Sequence, residues 1–261
     1  MKQLEGKCGL VAGVMNQRSI AYWAAKALVE SGAEVAVACH TDHVSRVTEL
    51  LTDLDNSGVY PFDATISGSS EAMVAKVGNL LGRIDFLVHS VAFAPPSALK
   101  ARLSDLSYQD FATTMNVSVY SLIEMVRGAR PYLKQDSTII TMTFPPGSQG
   151  VMDGYGIMGP AKAALESVVD YLNTDLGYNK QGVVVAAGPT AVKTVSSAAI
   201  PHLSGFIKAV AEHAPQGEVT TENIADAIVG LVSGMAMHMG GGVFSIDHGH
   251  FSKGAMSVQT G

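Results

Sequence analysis

Short apolar runs closed by glycine, proline or polar clusters alternate along this chain with segments whose apolar positions recur every three or four residues. The first pattern predicts strands buried on both faces, and the second predicts helices with one core-facing stripe. Cys8–Gly13 reads as a strand entering a glycine turn. Ile20–Ser31 reads as a helix that Ser19 caps and Gly32 ends, and Glu34–Cys39 as the next strand. His43–Asp55 reads as a helix, Val59–Asp63 as a short strand, Ser69–Gly82 as a helix and Ile84–His89 as a strand. Leu106–Leu133 reads as one long helical region and Ser137–Phe144 as a strand. A helix then carries Tyr155 and Lys162, with Ala164, Leu165, Val168, Val169 and Leu172 as its apolar stripe. Gly182–Pro189 reads as a strand and turn, Thr221–Met235 as a helix capped by Thr221, and Gly242–Gly249 as a last strand. Between them, Thr194 to about Ala214 reads as a mobile helical insert carrying Val195, Ile200, Leu203, Phe206, Ile207 and Val210. No linker or repeat interrupts the alternation, which predicts an α/β fold: one doubly wound sheet in a single domain over residues 1–261.

Composition narrows the functional classes. The chain is 47% hydrophobic and only 15% charged, as a sheet covered on both faces requires. Its net charge is −6 and its 17 basic residues form no run, so no nucleic-acid surface is expected. Cys8 and Cys39 lie in apolar strand-like runs, which predicts buried free thiols in a reducing compartment. The first residues show no signal-peptide core, and the apolar stretch Ile224–Met239 is broken by Asp226 and His238. A soluble, cytoplasmic protein without a membrane segment or a metal site is expected.

The chemistry-bearing positions fall at strand ends. The turn from Gly13 to Ser19 suits a pyrophosphate at a helix N-terminus, although the G-x-G-x-x-G spacing is absent and a plain glycine turn fits the same residues. Asp63, at the carboxyl end of a strand, can accept from an adenine amino group or serve as a loop cap. The small residues after His89 would let a nicotinamide ribose approach the backbone, while His89 itself reads as a packed histidine. Tyr155 and Lys162 stand two helical turns apart, since two turns take about 7.2 residues, so a helix puts them on one face. The ammonium would then lower the tyrosine pKa toward a general acid's range. Taken alone, the pair fits a surface tyrosine and a snorkelling lysine better than a catalytic pair, and the rest of the chain shifts that balance.

Together these segments resemble a short-chain dehydrogenase/reductase with a Rossmann-like sheet, and more narrowly the NADH-dependent enoyl-acyl-carrier-protein reductases of fatty-acid biosynthesis. Gly13-x5-Ser19-Ile20-Ala21, Asp63-Ala64, His89-Ser90-Val91-Ala92-Phe93-Ala94-Pro95 and Tyr155-x6-Lys162 carry the resemblance. Ala187-Gly188-Pro189 and Gly254-Ala255-Met256 add to it. It implies that Gly13, Ser19 and Ile20 border the pyrophosphate, that Asp63 and Ala64 hold the adenine, and that Ser90, Val91 and Ala92 line the adenosine and nicotinamide ribose. It places Lys162 on the ribose hydroxyls and Val192 and Thr194 beside the pyrophosphate or carboxamide. Tyr155 would hydrogen-bond the thioester carbonyl, with Ala94 and Phe144 lining the substrate and the segment from about 194 to 214 as its lid. An acyl thioester, possibly on acyl carrier protein, and a homotetramer are the implied partners.

Departures from that pattern cluster on the substrate side. Phe144 stands where many such reductases have a second tyrosine, and Pro145-Pro146-Gly147-Ser148-Gln149-Gly150 is unusual. His40 and Thr41 occupy the place of the ribose-binding acid, and Arg46 is the first basic side chain beyond them, which points to NADH without excluding NADPH. Two further readings stay open: a reductase acting on a carbonyl polarised by Thr143 or Thr141, and a nucleotide-binding member without turnover.

Overall fold

Strands whose consecutive residues are all apolar are stable only when both of their faces are covered. The computed structural model describes residues 2–194 and 203–251. Among them are strands β1 (Cys8–Ala12), β2 (Glu34–His40), β3 (Val59–Phe62), β4 (Ile84–His89), β5 (Leu133–Met142), β6 (Val183–Pro189) and β7 (Val243–Ile246). The helices are α1 (Ile20–Glu30), α2 (Val44–Leu50), α3 (Ser69–Leu81), α4 (Pro96–Lys100), α5 (Tyr108–Met115), α6 (Ser121–Ala129), α7 (Pro145–Ser148), α8 (Met158–Tyr178), α9 (Leu203–His213) and α10 (Thr221–Val232). All strands pair in parallel, in the order β3-β2-β1-β4-β5-β6-β7, which is the expected Rossmann-like doubly wound sheet.

Alternation along each strand divides the core into two layers. Val11, Val35, Val37, Val185 and Ala187 pack with Ala21, Leu28, Ile224 and Ile228 of α1 and α10. Leu10, Ala36, Leu87, Ile139 and Val184 pack with Val74, Leu122, Met125, Leu165 and Val169 of α3, α6 and α8. Each valine, leucine, isoleucine or methionine among them contributes about 1.5–3 kcal/mol on burial, whereas exposed pairs such as Lys26–Glu30 contribute about 0–1. Apolar burial therefore holds the sheet, and its carboxyl edge is left to carry chemistry.

Several expected boundaries change. The helix expected over His43–Asp55 is only Val44–Leu50, preceded by a 3-10 turn at Thr41–His43. The long helix expected over Leu106–Leu133 is divided: α5 starts after Ser107, which caps it, a π-helical turn occupies Asn116–Tyr120, and Pro131 lies in the 3-10 turn that ends the run. Leu133 already belongs to β5, which stops at Met142, so Thr143 and Phe144 lie beyond the strand. The cap of α10 is Thr220 rather than Thr221, in a capping box with Asn223; α10 ends at Val232, and Met235 opens a 3-10 turn. The last strand is Val243–Ile246, shorter than Gly242–Gly249. Of the insert expected from Thr194, α9 is described, while 195–202, with Val195 and Ile200, lie outside the described residues, as does Gly254-Ala255-Met256.

Candidate active site

Strand order reverses between β1 and β4, and in open parallel sheets this switch point opens a crevice at the carboxyl ends. Gly13 follows β1 and Ser90 follows β4. The Ser90 N–H donates to the Ala12 carbonyl at 3.0 Å, and the Gly13 N–H to the Ala38 carbonyl at 2.9 Å. Gly13 has φ +105, and a Cβ there would run into the Ser90 carbonyl, so a residue without a side chain is required. Ser19 takes the cap position of α1, but its hydroxyl donates back to the Asn16 carbonyl at 2.6 Å and makes no cap bond. The leading N–H groups of α1, from Ile20, therefore have no side-chain cap, as suits an anion at a helix N-terminus.

On the adenosine side, His40 lies between two carboxylates, with Nδ1 3.6 Å from Asp42 and Nε2 3.7 Å from Asp63. Asp63 accepts from the Thr65 hydroxyl at 2.6 Å and from its N–H at 2.8 Å. These bonds, the hydroxyl's first, hold the Asp63 carboxyl below the usual range, and His40 adds to the effect. The π-helical turn fastens two loops here. Asn116 donates to the Ala64 carbonyl at 2.8 Å, and the Ser118 hydroxyl bridges the Phe93 N–H and carbonyl at 3.0 Å each. Val91 and Ala92 are half-buried on the loop that Ser118 steadies.

Tyr155 does not lie on the helix with Lys162. It sits in the turn before α8, between Gly154 (φ +79) and Gly156 (φ +51), whose left-handed conformations keep helix from starting earlier than Met158. Pro160 falls in the first turn of α8, where its missing N–H costs nothing. Tyr155 is nonetheless buried, in an apolar cluster with Ala94, Ala98, Ile157 and Met158. Its ring meets Phe144 at 5.0 Å, and a Cβ on Gly147 would overlap it. Phe144 in turn meets Phe206 of α9 at 6.4 Å, and Phe206 meets His250 at 6.0 Å. Val192 is buried and Thr194 half-buried just past β6.

Electrostatics reverses the expectation for Tyr155. Burial, with the Glu166 carboxylate adding, pushes the phenol pKa well up, so the group stays a neutral O–H donor. Lys162 is buried, its amine donates to the Met142 carbonyl at 2.7 Å, and desolvation lowers its pKa to about 8 while Glu166 opposes the fall. His89 is fully buried between the hydroxyls of Thr141 (2.8 Å) and Ser121 (2.9 Å). Burial first, and then the Lys162 charge, lower its pKa to about 3, so it is a neutral packed histidine, as expected. Thr141 is thereby committed to the core, and Thr143 donates to Glu166 at 2.5 Å, so neither hydroxyl is placed as a substrate donor. Sequence reasoning missed Ser118, Ser148 and Glu166. The spacing of Glu166, one helical turn beyond Lys162, was the available signal for it.

Among the described residues no cluster of His, Cys, Asp or Glu could hold a metal, and no helix is long and apolar enough to cross a membrane. The switch-point crevice, the glycine junction and the buried Tyr155 and Lys162, each packed against the end of β5 or the residues just after it, define a dinucleotide-binding α/β protein of the short-chain dehydrogenase/reductase type. The family model for enoyl-(acyl carrier protein) reductase matches residues 13–250. The NADH-type enoyl-acyl-carrier-protein reductase 1 of Rhizobium meliloti is 34% identical over 98% of this chain and 94% of its own length. Its counterpart from Synechocystis is 34% identical over 96% and 98%. The crystal structure of the Anaplasma phagocytophilum reductase in complex with NAD superposes with a TM-score of 0.90 at 32% identity, covering 98% of each chain. The chain belongs to the enoyl-acyl-carrier-protein reductase family.

Proposed function

We propose that this protein uses NADH to reduce the C=C bond of a trans-2-enoyl thioester carried on acyl carrier protein, as a step of fatty-acid biosynthesis. The observation that carries this reading is a buried phenol and a buried amine at the carboxyl edge of the sheet, the amine on the Met142 carbonyl that ends β5 and the phenol ring against Phe144 just beyond it. Relatives named for this activity over nearly the whole chain support it. The cofactor's fit rests on the glycine junction and on the uncapped N-terminus of α1. Gly13, Ser19 and Ile20 would border the pyrophosphate, Asp63 and Ala64 the adenine, Ser90, Val91 and Ala92 the ribose, and Val192 and Thr194 the carboxamide end. When bound, NADH supplies the hydride. Tyr155 donates its proton-bearing hydroxyl to the thioester oxygen, where negative charge develops, and this lowers the barrier more than it tightens substrate binding. Lys162 holds the ribose through its charged amine. Ala94, Phe144 and Tyr155 form an apolar wall for the enoyl group, and the 194–214 segment acts as its lid, excluding water.

His40 between two carboxylates supports NADH over NADPH, because a 2′-phosphate would face Asp42 and Asp63. Purified protein mixed with a crotonyl thioester is expected to oxidise NADH, and NADPH much more slowly. Absence of NADH oxidation overturns the reading. The commitment of Thr141 and Thr143 to other partners argues against carbonyl reduction.

The assembly is proposed to be a homotetramer. The half-buried edge strand β7 and the exposed Tyr108, Tyr171 and Tyr178 support further association. Sedimentation is expected to give a tetramer, and a monomer at micromolar concentration rejects it. Buried free Cys8 and Cys39 support a reducing, cytoplasmic setting, which cell fractionation tests.

A further inference from the structure

Glu166 touches nothing in the proposed reaction, yet it is bonded to the segment against which Tyr155 packs, and its charge acts on Tyr155 and Lys162. Its Oε1 accepts hydrogen bonds from the Thr143 hydroxyl at 2.5 Å and from the Ser148 hydroxyl. Thr143 directly follows Met142, whose carbonyl receives the Lys162 amine. Ser148 closes α7. Between these two hydroxyls lie Phe144 and Gly147, the residues against which the Tyr155 ring packs. One carboxylate oxygen therefore pins both ends of the segment that shapes the Tyr155 pocket. A four-residue helix opened by two prolines has little stability of its own, so an external anchor matters here. The same carboxylate lies one turn from Lys162 on α8, and its charge acts on both Lys162 and Tyr155.

We propose that Glu166 is a positioning residue for the reductase, stapling the 143–148 segment behind Tyr155 and facing Lys162 with a compensating negative charge. This rests on the reading of Tyr155 and Lys162 given above. The groups facing Lys162 are the Met142 carbonyl from β5, His89 from β4, which is neutral, and Glu166 from its own helix. Burial lowers the amine's pKa to about 8 and Glu166 opposes that fall, so loss of the carboxylate charge discharges the amine at a lower pH.

Two variants separate staple from charge. Glu166→Gln retains a carbonyl that accepts from both hydroxyls but carries no charge, and Glu166→Ala removes both. In Glu166→Gln, amide hydrogen exchange over residues 143–156 is expected to stay near wild type while the alkaline limb of kcat/KM moves to lower pH. In Glu166→Ala the same limb is expected to move, exchange over 143–156 to quicken, and kcat to fall about 100-fold, the usual cost of misplacing a reacting group by about 1 Å. A Glu166→Gln profile that superimposes on wild type overturns the charge role. Unchanged exchange in Glu166→Ala overturns the staple, a result readable without any turnover. Failure of the parent reading looks different, because the wild-type protein itself would not oxidise NADH with a crotonyl thioester.

Discussion

Tyr155→Phe is expected to lower kcat for enoyl-thioester reduction by about 10²–10³-fold, the cost of removing one donor aimed at a developing oxyanion. NADH affinity and thermal stability should hardly change. The ring is packed by Phe144 and Gly147 in a buried cluster, so a phenylalanine ring fits the same space. The variant therefore deletes a hydroxyl and leaves the pocket. Burial and Glu166 push the phenol pKa far above the assay range, so the wild-type rate should show no limb from tyrosine ionisation. That outcome separates a neutral donor from the phenolate that the Tyr-x6-Lys spacing suggests. Loss expressed wholly in KM, with kcat intact, would remove Tyr155 from the chemical step.

Lys162→Met should produce the opposite pair of effects: activity lost more than about 100-fold, and stability raised. The buried amine has a folded pKa of about 8 against an ordinary 10.5. Below pH 8 both folded and unfolded chains hold the proton, and the folded state bears the full cost of burying the charge, about 3 kcal/mol. Between pH 8 and 10.5 the unfolded chain holds the proton and the folded one does not, so wild-type stability rises with pH and the penalty fades. Methionine fills the aliphatic stem's volume without a charge. Leaving the Met142 carbonyl without its donor offsets about 1–2 kcal/mol of the gain. A net gain of about 1–2 kcal/mol is expected at pH 7, seen as a Tm rise of about 2–8 °C; it should cross zero at about pH 9 and become a loss of about 1–2 kcal/mol by about pH 10.5. Denaturation at both pH values checks this. A variant equally destabilised at both would show that the amine is not held at a cost.

Legibility differed from residue to residue for physical reasons. The strand Ile84–His89 was readable to the residue, because its apolar centre Phe86-Leu87-Val88 follows the Gly82-Arg83 turn directly and, buried on both faces, has few alternatives. So was the start of α1 at Ile20, just past the loop at Asn16-Gln17-Arg18. The break at Asn116–Tyr120 was not readable, because a π-helical turn is stabilised by what its extra residue reaches, here Phe93 and Ala64, and both are distant in the chain. The displacement of Tyr155 from α8 was announced locally by its two flanking glycines, a signal that the seven-residue spacing outweighed. Spacing makes Lys162 the nearest charge to the Tyr155 phenol along the chain, whereas in the fold burial and then Glu166 set its pKa.

Local sequence was enough to set the order and type of most elements, the sheet covered on both faces, and the positions bearing a phenol, an amine and a glycine turn. These follow from short-range periodicity and turn chemistry, which a chain expresses wherever it sits. Long-range packing alone set which groups meet: Gly13 with Ser90, His40 with Asp63, and Thr143 and Ser148 on Glu166. It also decided which way each ionisable group is pushed, because desolvation depends on everything packed around a side chain, and no spacing along the chain records that.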